Sequence, residues 1–293
     1  MALCFRKNQI HKTGFYFLIS YFCIIIILAN VNFAFNYLSE INITVIGTRR
    51  QQILSDYSGC GPFTGSFNSL PNEILVNGVP QSSNDKYVDN LVNQTNIITM
   101  RWNYQVTNCD SMFYGLNNII SIDLSNFDTS KVEIFECMFF SCTSLKSINL
   151  NNVNASSAKT MLAMFYECSG LETLNLSSFD TSKVTTMGGM FWGCTSLKSL
   201  DLSNFETPGL KETTDMFFLC SSLVLLNIKN FDTSKITSNF DMEVMFQNVN
   251  SNLIYCADES KIASIKSSSY SYLGSFTNNC THVCFINFQS KYI

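Results

Sequence analysis

The chain is predicted to be an α/β solenoid, a stack of units of about 26 residues with a parallel sheet on one face and short helices on the other. Three observations predict it. A Met-Phe pair recurs at Met112, Met138, Met164, Met190 and Met216, always 26 residues apart, and once more at Met245 after a three-residue insertion. A fixed set of apolar columns accompanies each pair, with alternation that suits a half-buried strand. A second stretch of every unit changes to helical spacing.

The elements follow in chain order. Arg6, Lys7 and Lys12 precede an apolar run from Phe15 to Leu28, the layout of a secretory signal. Residues 1–35 are therefore expected to be a signal peptide or, if the run extends uncleaved to Phe35, a signal anchor. Both deliver the repeats outside the cytosol. Residues 36–96 lack the period and carry turn signals at Gly59-Cys60-Gly61-Pro62, Asn77-Gly78 and Val79-Pro80. Ile41–Ile46 and Ile74–Val76 read as strands, and the region is expected to cap the first unit, because an open end would expose strand edges and core.

The repeats occupy 97–255. The strand columns are Ile119, Ile122, Leu124; Leu145, Ile148, Leu150; Leu171, Leu174, Leu176; Leu197, Leu200, Leu202; and Leu223, Leu226, Ile228. An aromatic column follows at Phe127, Phe179, Phe205 and Phe231, with Val153 once, and then Val132, Ala158, Val184, Leu210 and Ile236. Met187, Met190, Phe191 and Cys194 stand at i, i+3, i+4 and i+7, one face of a helix of about two turns. Asp180-Thr181-Ser182 offers N-cap oxygens before it, and the triplet recurs at Asp128 and Asp232. From Cys256 the repeat dissolves into a Ser-rich, Cys-containing tail or cap over 256–293.

Leu-x-x-Leu-x-Leu, joined to Asn-Phe-Asp-Thr-Ser-Lys-Val and Met-Phe-x-x-Cys, resembles the BspA-like leucine-rich-repeat surface proteins over roughly residues 97–255. The resemblance implies a leucine-rich-repeat stack and an extracellular, non-enzymatic surface protein linked to attachment. The usual repeat carries Asn or Cys three residues after its last strand Leu, where this chain has Phe205 and its equivalents. The fourth copy reads Glu206-Thr-Pro-Gly at the expected helix entry.

Chemistry is sparse. Beyond residue 35, His282 is the only histidine, which removes most Ser-His and Cys-His arrangements, and no Gly-rich phosphate loop is present. No enzyme, cofactor or metal is expected. Cys142, Cys168, Cys194 and Cys220 form one column in which Leu116 and Val249 substitute, so they read as small buried hydrophobes. Same-column Cβ vectors point in parallel, which disfavours inter-unit disulfides. Cys60, Cys109, Cys137, Cys256, Cys280 and Cys284 are the disulfide candidates of an oxidising compartment. Sequons at Asn42, Asn93, Asn154, Asn175 and Asn279 are glycosylation candidates.

Formal charge is −4, and it becomes −7 once the three bases of the leader are removed, with no basic stripe left. That argues against nucleic acid and against docking on anionic lipid, leaving membrane contact to an uncleaved N-terminal segment. The expected working surface is the outer strand face, with columns Asp123, Asn149, Asn175, Asp201, Asn227 and Ser125, Asn151, Ser177, Ser203, Lys229. Such a face can bind a protein or glycan at a cell surface through many weak hydrogen bonds; a passive coat without a specific ligand is the alternative.

Overall fold

The computed structural model describes residues 37–57, 59, 67–236, 244–258, 260–261 and 276–277. The expected leader at 1–35, together with Cys60, Cys280, Cys284 and Asn279, lies outside the described residues. Twelve β-strands make up the described elements. The first six are β1 (Ser39–Ile46), β2 (Arg49–Gln52), β3 (Glu73–Val76), β4 (Val79–Pro80), β5 (Tyr87–Leu91) and β6 (Thr95–Trp102). The repeats contribute β7 (Ile119–Asn126), β8 (Ser147–Asn149), β9 (Ser199–Asp201), β10 (Leu225–Ile228) and β11 (Ile254–Ala257), and β12 (Phe276–Thr277) follows.

The N-terminal strands and the strand of the first repeat share one sheet. A six-stranded sheet runs β4-β3-β6-β1-β7-β8, and β1 lies antiparallel between β6 and β7. Alternation explains its two faces. Ile41, Ile43 and Val45 of β1 and Ile98, Met100 and Trp102 of β6 point into the core, each at most 1% exposed. Their neighbours form an outer polar network, in which the Arg101 guanidinium bridges Glu40 at 2.6 Å and Glu73 at 2.9 Å. Strands β2 and β5 pair separately.

The α/β solenoid with a helical face is overturned. Helical conformation among the described residues is confined to Val244, and the strands form three separate sheets rather than one continuous parallel sheet through the repeats. Parallel pairing joins β7 to β8, and then β9 to β10, β11 and β12, but residues 171–176 of the third copy form no strand. The break coincides with Gly170, which stands where the other copies have Asn118, Ser144, Ser196 and Ser222. A Cβ on Gly170 would lie 2.7 Å from the Thr143 carbonyl oxygen and 2.8 Å from that of Leu145. The third unit thus presses its backbone onto the second more closely than a side chain allows.

The expected helices fail for a hydrogen-bonding reason. In the fourth unit the Met190, Trp192 and Cys194 N–H groups donate three residues back, to Met187, Gly189 and Phe191. The alternate donors, Gly189, Phe191 and Gly193, reach the next unit instead, bonding Thr214, Met216 and Phe218 at 2.7, 2.9 and 2.8 Å. A helix would send every one of these N–H groups four residues back along its own chain. The consecutive turns require positive φ at two positions four residues apart, and these recur as Ser111 and Gly115, Cys137 and Ser141, Ala163 and Glu167, Gly189 and Gly193, Asp215 and Leu219. A second parallel contact runs just before the Met-Phe pair, from Asn108 through Ile134, Thr160 and Thr186 to Glu212.

The core is a set of columns. Phe113, Phe139, Phe165, Phe191, Phe217 and Phe246, each the Phe of a Met-Phe pair, stack with centroids 5.3–5.8 Å apart. The leucines of the strand columns belong to the same core, with Leu200 and Leu226 at most 1% exposed. Phe165 is fully buried between Phe139 and Phe191. Phe165→Ala is expected to cost ~3–5 kcal/mol, by lost transfer energy and the cavity left in the stack; denaturant unfolding checks this. Gly170→Ala is expected to destabilise by ~1–3 kcal/mol through overpacking against fixed carbonyls, read as a lowered melting temperature with the secondary structure retained.

Candidate recognition surface

The structure places the strand-face candidates at the outer ends of the strands, and gives their first column an internal job. The Asp123 carboxylate accepts from the Ser125 N–H at 2.9 Å, Asn149 from Asn151 at 3.2 Å and Asn175 from Ser177 at 3.1 Å. Asp201 accepts from Ser203 at 2.9 Å, and Asn227 from Lys229 at 3.2 Å. Each is an Asx-type bond, and in the second, fourth and fifth units it falls where β8, β9 and β10 end. One side-chain oxygen per unit is therefore committed to the fold. Asn227 is also buried, beneath the pairing of β10 with β11.

The second column is freer. Asn151, Ser177 and Lys229 are exposed, while Ser125 and Ser203 are half-buried. Asn175 donates to Asn151 across neighbouring units at 3.5 Å. The face comes together best over Asn149, Asn151, Asn175 and Ser177, next to the missing third strand. Among the sequons, Asn93, Asn154 and Asn175 are exposed. Asn42 lies mid-sheet, its amide donating to Glu40 and its oxygen accepting from Thr99.

The Asp-Thr-Ser triplet is a turn device. Asp128, Asp180 and Asp232 accept the N–H of Ser130, Ser182 and Ser234, and the same turn recurs at Asn154 and Asp258. The intervening Thr129, Thr181, Thr207 and Thr233 are buried and donate to backbone carbonyls of the following unit. The Asx geometry holds Asp180 below the usual carboxylate range, through its bonds to Ser182.

Cysteines divide into two groups. Cys142, Cys168, Cys194 and Cys220 are buried free thiols, and each donates to the carbonyl of a Met-Phe Phe in the preceding unit, at 3.0–3.2 Å. Burial pushes the Cys142 and Cys220 thiols up to about 12. Cys109 is corrected from disulfide candidate to buried free thiol, enclosed at 0% exposure in the core of the first unit. Cys137 and Cys256 are also fully buried.

A surface column missed by the sequence reading runs along the turn side. Tyr57, Tyr114, Phe140, Tyr166, Trp192 and Phe218 stack face to face, with successive centroids 4.0, 4.6, 4.3, 4.3 and 5.7 Å apart and interplanar angles of 8° or less. All are partly or fully exposed. The signal was available, because the residue after each of the first five Met-Phe pairs is aromatic. Beneath this side Glu136 is buried, with one oxygen accepting from the Thr160 hydroxyl at 2.8 Å and Oε2 without a hydrogen-bond partner. Burial pushes its carboxyl up, the Thr160 bond opposing and the Asp110 and Glu212 charges adding to the rise.

A carboxyl raised on folding contributes stability while protonated and loses it as pH rises through the folded value. The melting temperature should therefore fall as pH rises above the ordinary carboxylate range, and Glu136→Gln should flatten that slope. Labelling under denaturing, non-reducing conditions should find Cys168 and Cys194 as free thiols; a cross-linked peptide joining them would contradict their assignment.

Comparison with known proteins adds one family. Residues 85–175 and 148–257 each match the family described as Mycoplasma protein of unknown function, DUF285. No curated protein and no solved structure matches the chain. The two matched segments overlap at 148–175, across the second and third units, and together span 85–257, more than half of the chain, from β5 through β11. The Met-Phe units, with the aromatic and Asx columns they repeat, are thus those of a DUF285 protein, and the chain belongs to that family.

Proposed function

We propose that this protein is a secreted or cell-surface recognition and adhesion scaffold, of the BspA-like kind its repeats resemble, binding protein or glycan through its repeat surface and carrying out no catalysis. The observation that supports this reading best is the register of the units. Bonds between successive units hold equivalent side chains in columns, so a weak contact made by one unit is repeated by its neighbours. Linked weak contacts gain affinity through effective concentration. The charged leader and the exposed sequons at Asn93, Asn154 and Asn175 fit an extracellular location.

A passive coat protein is the second reading. The Asx turns favour it, since they give the first polar column a structural reason to exist. Attachment of the purified chain to target cells separates the two: a scaffold binds saturably, whereas a coat component does not. If the strand face is the contact, Asn151→Ala with Ser177→Ala should weaken attachment at least severalfold while shifting the melting temperature by no more than a few degrees, as surface changes do. Unchanged attachment by the folded double variant moves the contact off the strand face.

A further inference from the structure

The turn side differs in kind from the strand face. Within the stretches 108–118, 134–144, 160–170, 186–196 and 212–222 there is no Lys, Arg or His, whereas Asp110, Glu136, Glu167, Glu212 and Asp215 are all acids. Bases are confined to other columns, where Lys159 and Lys198 pair with Glu133 and Glu172 of the neighbouring units at 2.6 Å. No such pairing involves Glu167 or Asp215 among the described residues. Both are half-buried, and Glu167 accepts from the Ser141 hydroxyl at 2.6 Å. They stand next to the middle of the aromatic column: burial and, after it, these two charges push the Tyr166 hydroxyl up.

The aromatic column itself narrows what can dock. Because the rings stack on one another, their faces are consumed, and a flat sugar cannot lie on them as it would on an open platform. What solvent meets is a ridge of ring edges about 23 Å long, judged from the successive centroid steps. The ridge is mostly apolar, interrupted by the hydroxyls of Tyr57, Tyr114 and Tyr166, flanked by small side chains such as Gly115, Ser141 and Gly193, and bordered by carboxylates. Arg and Lys suit both parts, since their alkyl stems cover apolar surface while the charged head stays at its edge. An acidic or neutral apolar segment would satisfy only one part.

We propose that this acid-bordered aromatic ridge is a docking surface for an extended, Arg- or Lys-rich protein segment. The stems lie along the edges of Tyr114, Phe140, Tyr166, Trp192 and Phe218, and the cationic heads meet Glu167 and Asp215. The inference rests on the recognition reading but not on the strand face. A ridge of this length accommodates about seven residues of extended chain, at ~3.3 Å per residue. Charge sets orientation and on-rate, and the apolar ridge supplies the contact that water exclusion strengthens.

The test titrates the full chain with a synthetic peptide of alternating Arg and Leu, about eight residues long, following Trp192 emission and the heat of binding independently. Trp102, the other tryptophan, is fully buried and serves as the invariant background. The expected result is saturable binding with a change in emission. Glu167→Gln with Asp215→Asn should raise the Kd about tenfold. Asp180→Asn with Asp232→Asn, which removes the same charge elsewhere and for which Asn154 is a natural precedent in the same column, should leave the Kd as in the wild type. Equal weakening by both double variants would reduce the effect to net charge and overturn the proposal, as would absence of binding or wild-type affinity in the turn-side variant. If cell attachment persists while the peptide fails, the ridge is wrong and the recognition reading stands; peptide binding without any cell attachment would have the opposite meaning.

Discussion

The repeat region depends on the destination of alternate backbone N–H groups at the Met-Phe turn. Half of them close turns within a unit, and half bond to the next unit. That division demands left-handed backbone at two positions per unit, and in several copies non-glycine residues occupy them: Cys137, Ser141, Ala163, Glu167 and Asp215 all have positive φ. Such conformations cost of order 1–3 kcal/mol each. The cost persists because the turns satisfy backbone donors that would otherwise be buried without partners. It also fixes the spacing of units, which is what lets Phe165 stack between Phe139 and Phe191 and lets each column thiol reach a carbonyl one unit away.

The same division accounts for the polar columns. Once a unit must turn sharply twice on leaving its strand, short side chains with an oxygen near the backbone are favoured there. Asp123 and its equivalents serve one corner, and Asp128 and its equivalents the next. Buried threonines then tie one corner to the following unit. Columns of Asp, Asn and Thr in a repeat protein therefore do not by themselves mark a ligand site. A column without such a backbone role is more informative, and the exposed aromatic ridge bordered by Glu167 and Asp215 is one.

At the N-terminal end, β1 and β6 close the first unit by continuing its sheet in the antiparallel sense. The backbone groups of β7 that would form an exposed edge are paired by β1, and the Ser55 N–H bonds to the Met112 carbonyl at the turn corner. Tyr57 then stacks on Tyr114 and extends the aromatic column beyond the repeats. The cap thus completes both the core and the surface of the first unit. At the other end, β11 and β12 continue the parallel pairing beyond the point where the period is recognisable in the sequence.

The sequence by itself determined the period, the buried columns and the positions of β1, β3 and β7 to β10, because apolar spacing records which residues share a face. Ile122, Leu200 and Leu226 are buried where alternation put them, and the column cysteines are thiols as their replacement by Leu116 and Val249 implied. The polar strand face was legible as a set of outward positions, though its Asx turns were not, since an oxygen that accepts from a backbone N–H two residues on looks the same in sequence as one that faces solvent. Only the tertiary structure decided against helices. Met187, Met190, Phe191 and Cys194 have a spacing that fits a helical face and two consecutive turns equally well, and the choice turns on whether the next unit offers carbonyls at the right height. It decided against a continuous sheet for a similar reason, because the approach of Gly170 to the Thr143 and Leu145 carbonyls is a distance between units and leaves no trace in the hydrophobic pattern of either.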